Sequence, residues 1–71
     1  MSDAEVVRKH ARDAVDAVVI ELGDTLVQAE RDTWTAHAEL LLRVGKVKPG
    51  RRLRRALRVA IESALAERIA P

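Results

Sequence analysis

The residues closest to a catalytic or metal-binding arrangement are Glu30 and His37, seven positions apart and so on one face of a helix, with Thr33 and Trp34 between them. An imidazole beside a carboxylate is the beginning of a metal site. Zinc, however, takes three or four protein ligands, and His10, far off in sequence, is the one other histidine. The simpler reading is a hydrogen-bonded polar layer of Glu30 and His37 that fixes helix register or subunit pairing. Ser2, Ser63 and the threonines have no base beside them in sequence, and no glycine-rich phosphate loop occurs. Cysteine is absent, which excludes disulfides and thiolate metal sites. The chain therefore reads as a non-enzyme, without catalytic residues, cofactor, metal or small-molecule substrate.

Anion recognition is the chemistry the sequence does carry. Between Arg43 and Arg58 stand eight bases (Arg43, Lys46, Lys48, Arg51, Arg52, Arg54, Arg55 and Arg58) and no acid. The net charge is only +2 because residues 1–35 hold eight acids against four bases. Arg51 to Arg55 fall in the first turns of a helix, where the macrodipole is already positive, and they repel one another at spacings of three and four. A sequence tuned only for folding would place acids there, so the violation marks a binding surface or an unseen counter-charge. Phosphate suits such a place, since free N–H groups, dipole and guanidinium donors coincide. Protein carboxylates are the rival: Asp13, Asp16, Glu21, Asp24, Glu30 or Asp32, from the same chain or a neighbour. The protein reading stands first, because the acidic half is present in every molecule.

Two other binding classes fit less well. A helix-turn-helix with Gly23 at its turn gives a recognition segment containing Glu30 and Asp32 against Arg31 alone, which the phosphate backbone would repel. A membrane surface is disfavoured because the last segment has arginines but no Trp or Phe, and a shallow alanine-rich apolar side. No uncharged run approaches the roughly 18 residues of a membrane span. The acidic start lacks signal-peptide order, so the cytoplasm is the expected location. Arginine's excess over lysine, with abundant alanine and valine, points to a bacterium or phage of high GC content.

These residues must be carried by helices. Ser2 with Glu5 reads as a capping box, and Ala4, Val7, Ala11, Ala14, Val15, Val18 and Leu22 form an apolar stripe up to Gly23. Glu5/Lys9 and Arg12/Asp16 suggest ion pairs on its outer side. Thr25 with Gln28, or Asp24, caps a second stripe of Leu26, Trp34, Leu41 and Val44, with Glu39/Arg43 outside it. Gly-Lys-Val-Lys-Pro-Gly at 45–50 is a basic loop. A third stripe holds Leu53, Leu57, Ala60, Ile61, Ala64 and Leu65. The prediction is an all-α single domain over 1–71: a three-helix bundle at about 3–22, 25–44 and 51–69, or a long kinked helix plus a shorter one. Trp34, Leu41, Leu53, Leu57 and Ile61 serve as core or interface anchors.

Val6, Ile20, Leu42, Val59 and Ile69 fall off the stripes. That surplus, with a core of small residues in 71 residues, favours a homo-oligomer or a protein partner. The sequence thus implies a helical interaction and assembly module that binds itself or an acidic protein surface, with a nucleic-acid-binding accessory protein contacting phosphates through residues 46–58 as the alternative.

Overall fold

A computed structural model describes residues 2–69 and places three helices in them: α1 (Asp3–Glu21), α2 (Gln28–Arg43) and α3 (Arg51–Ile69). The start of α1 follows from Ser2, whose backbone is extended and whose hydroxyl accepts from the Glu5 N–H at 3.3 Å. Asp3 and Glu5 add negative charge to the first turn, in agreement with the helix dipole.

The end of α1 is a complete Schellman motif. The Gly23 N–H donates to Ile20 C=O at 3.1 Å and the Asp24 N–H to Val19 C=O at 2.8 Å, with Gly23 at φ +83°. Asp24 is also left-handed, at φ +56°, so it cannot cap the next helix. The chain then leaves helical structure, Leu26 turns inward with 6% exposure, and α2 begins after the extended Val27. Neither Thr25 nor Asp24 is the cap that their residue types suggest. Valine offers no acceptor, and the Glu30 carboxylate instead reaches back to the Val27 N–H at 3.2 Å. Gln28 is the first helical residue and donates to Asp32 at 2.9 Å. The stop and restart separate α1 from α2, so there is no long kinked helix.

A second Schellman motif closes α2: the Gly45 N–H donates to Leu42 C=O and the Lys46 N–H to Leu41 C=O, both at 3.2 Å. The chain then turns through 45–50, and the Gly50 carbonyl accepts from the Arg54 N–H at 3.1 Å as α3 begins.

α1 lies against both other helices, most extensively α2, whereas α2 and α3 meet over a small area. Ala11, Ala14, Val15, Val18 and Val19 of α1, Leu26, Ala38 of α2 and Leu53, Leu57 and Ile61 of α3 form the core. The α3 anchors Leu53, Leu57 and Ile61 are completely enclosed. Trp34 and Leu41 are partly buried and pack on the rim of this core.

The helix-2 stripe needs correction. Leu42 packs against the core, Val44 is 56% exposed, and Ala38 is the residue of α2 that is fully enclosed. On α1, Val19 is buried and Ala4 exposed. Val6, Ile20 and Val59 are exposed as expected, while the side chain of Ile69 lies outside the described residues. The Glu5/Lys9 and Arg12/Asp16 pairs are not closed; α1 is instead tied to α2 by Arg8–Glu39 at 3.5 Å.

Candidate anion-binding surface

The helices carry the arginines outward because Leu53, Leu57 and Ile61 claim the inner face of α3. With that face fixed, positions 51, 52, 54, 55 and 58 have only solvent to enter, and all are exposed. The loop between the Schellman turn and Gly50 buries only Val47 partly, leaving Lys46 and Lys48 exposed beside them.

Two open hollows result. One is lined by Arg51, Arg54, Arg55 and Arg58, with Glu21 from the end of α1. The other runs along the loop from Gly45 to Pro49 and is bounded by Arg51 and Arg52. Arg51 belongs to both, so the cations from Lys46 to Arg58 make one continuous surface.

The ion pairs sort these cations into two groups. Arg43 is held by Glu39 at 3.4 Å, one turn back in α2. Arg58 donates to Glu62 at 2.9 Å and meets Glu21 at 3.4 Å. The hydrogen bond and charge of Glu62, then the charge of Glu21, raise the Arg58 pKa above its ordinary value. Lys46, Lys48, Arg51, Arg52, Arg54 and Arg55 have no carboxylate within ion-pair distance among the described residues.

Several of the chain's acids are engaged elsewhere. Glu30 accepts from Arg68, Asp24 from Arg31, and Glu39 is shared between Arg8 and Arg43. Of Asp13, Asp16, Glu21, Asp24, Glu30 and Asp32, Glu21 alone pairs with one of the eight bases, Arg58. Six positive charges, two in the loop and four at the start of α3, therefore have no ion-pair partner among the described residues, and an incoming anion would meet the helix dipole and the guanidinium donors together.

Glu30 and His37 do not form a buried polar layer within the chain. His37 is exposed, with its ring edge-on to Trp34 at 5.5 Å and 88°, and the partly exposed Glu30 is occupied by Val27 and Arg68. The core contains no buried polar or charged residue among the described ones. His10 is exposed on α1, and no three of His, Asp and Glu converge on a metal-binding position among the described residues. No helix described is long and apolar enough to cross a membrane.

Fold and surface together define an all-α three-helix chain with a one-sided cationic face. No protein-family model, curated protein or solved structure matches it.

Proposed function

We propose that this chain is a non-catalytic helical interaction module whose α3 end docks on a carboxylate-rich protein surface, on another copy or on another protein. The observation that carries this reading is the set of six exposed cations, Lys46 to Arg55, without a carboxylate partner among the described residues while the chain's other arginines, Arg12 apart, are paired. Like charges crowded at the positive end of a helix oppose folding, and an acidic partner removes that opposition. Arg51, Arg52, Arg54 and Arg55 supply bidentate donors, and Lys46 and Lys48 add point charges on the loop.

A second reading rests on the hollow of Arg51, Arg54, Arg55 and Arg58 at the helix N-terminus, an arrangement suited to phosphates of nucleic acid. Contacts of this kind follow the backbone and carry little sequence preference.

One experiment separates the two. Protein purified without nuclease is run by size-exclusion chromatography with light scattering, followed at 260 and 280 nm, for the native chain and for Arg54→Glu/Arg55→Glu. The docking reading predicts a nucleic-acid-free peak and a protein complex that the double variant loses. Excess 260 nm absorbance that salt removes, with a slope of about −0.9 per neutralised phosphate on duplex DNA, replaces it with the phosphate reading. If the double variant retains every association of the native chain, both fall.

A further inference from the structure

The outer face of α2 is built differently from the rest of the surface. Ala29, Thr33, Ala36, His37, Leu40 and Val44 are all exposed, and at 100° per residue they occupy an arc of roughly 100°. That arc faces away from Ala38, the fully enclosed residue of this helix. It contains no Asp, Glu, Lys or Arg, in a chain of which 34% is charged.

Leu40 and Val44 stand out from it at 57% and 56% exposure. Exposed apolar residues on the other helices are set among charges, Ile20 beside Asp13 and Asp16, and Val59 beside Arg55 and Glu62. A helix face that ends in water is normally charged or polar. The spacing of Ala29, Thr33, Ala36 and Leu40, four then three then four, is that of a helix–helix seam.

We propose that this face pairs with the same face of a second copy, antiparallel, about a twofold axis passing near residues 36 and 37. Size and charge both select that arrangement. The face is small at its N-terminal end and bulky at its C-terminal end, so reversal sets Ala29 against the partner's Val44 and Thr33 against the partner's Leu40. Asp32 and Arg43 border the same edge of the face. The twofold brings Arg43 beside the partner's Asp32, and the partner's Arg43 beside Asp32. In a parallel pair the same two residues stay about 16 Å apart along the axis.

Arg43 can make this reach, because its side chain is 57% exposed and held only by the Glu39 contact at 3.4 Å. The seam spans about 24 Å of helix and covers less than the roughly 800 Å² per partner of a standard stable complex. The dimer is therefore weak and forms with rising concentration. It uses neither Lys46, Lys48 nor the arginines of α3, so it does not rest on the docking reading, and either can fail without the other.

The chain has no cysteine, so single introduced cysteines report the pairing. Under mild oxidation Ala36→Cys should cross-link to itself as a dimer, and the control Lys9→Cys should not. Ala29→Cys alone should stay monomeric yet link to Val44→Cys when the two are mixed. Self-linking of Ala29→Cys would mean a parallel pair and overturn the proposal. So would an Ala36→Cys yield no higher than that of the control. In light scattering, Leu40→Glu should abolish the concentration-dependent dimer with an unchanged helical circular dichroism signal. A folded Leu40→Glu that still dimerises like the native chain overturns it equally. Retention of the arginine-dependent complex by Leu40→Glu shows that the docking reading stands apart from this outcome.

Discussion

α1 and α3 are the same length, 19 residues each, and they are built on opposite principles. α1 begins with a serine cap and two acids in its first turn, and it ends in a Schellman turn. Each of these local signals agrees with the helix that forms. α3 begins after a glycine, without an acid in its first turn and with four arginines in its first five residues. Its local electrostatics argue against a helix, and what holds it is Leu53, Leu57 and Ile61, buried without residual exposure. Where a segment folds against its own charge pattern, tertiary packing supplies the stability and the charges are left for something else.

The largest effect should therefore come from the α3 core. Leu57→Ala removes a fully enclosed side chain, for an expected loss of about 2–5 kcal/mol. In a domain this small that is a large share of the total, and denaturant unfolding should show it as a lowered midpoint, or as a chain unfolded in water. Ile20→Ala, at a position 74% exposed on α1, should leave the midpoint nearly unchanged. Equal losses at the two positions would contradict the placement of the core.

The arginines come next, and their sign is the informative part. Replacing Arg54 and Arg55 by glutamate puts acids where the dipole wants them, which should stabilise α3 by roughly 0.3–1 kcal/mol per site. The thermal midpoint should rise by several degrees, since about 1 kcal/mol corresponds to some 4–8 °C in a domain of this size. The same variant should lose its acidic partner. A drop in midpoint would show instead that the native arginines help to hold the fold.

This contrast also explains what could be read from the sequence. α1 and α3 were legible because their apolar stripes are regular and Gly23, Gly45 and Gly50 punctuate them. α2 was harder at both levels. Its start was misplaced because Thr25 and Asp24 have cap-forming side chains, whereas the Schellman turn commits Asp24 to a left-handed conformation and burial of Leu26 keeps Val27 extended. Its inner face was misjudged because Leu40, Leu41 and Leu42 are consecutive. Hydropathy alone cannot say that Leu42 packs inward while Leu40 faces water, and the enclosed position falls to Ala38, the smallest candidate. The eight bases were legible as a cluster, and so was the Glu39/Arg43 pair one turn apart in α2. The contact of Arg58 with Glu21 was not, because it depends on Glu21 arriving from another helix.

At the other end of the comparison, Ser2→Ala should cost about 1 kcal/mol. The loss is local, because α1 keeps the acids of its first turn, and hydrogen exchange should report fraying of that turn before the core opens. A global loss of the size given by Leu57→Ala would make the cap as important as the core and remove the distinction between the two helices.

The smallest change in stability, and the sharpest in function, is expected at Glu21. It is the one carboxylate lining the arginine hollow, and it meets Arg58 through a solvent-exposed contact of a kind that contributes little to folding. Glu21→Gln should barely move the thermal midpoint. It removes the negative charge that an incoming anion must displace or oppose, so the acidic partner should bind more tightly and the gain should shrink as salt is added. If binding instead weakens while the fold is intact, Glu21 is a positioning residue that presents Arg58 to the partner, and the paired arginines join the unpaired ones in the docking surface.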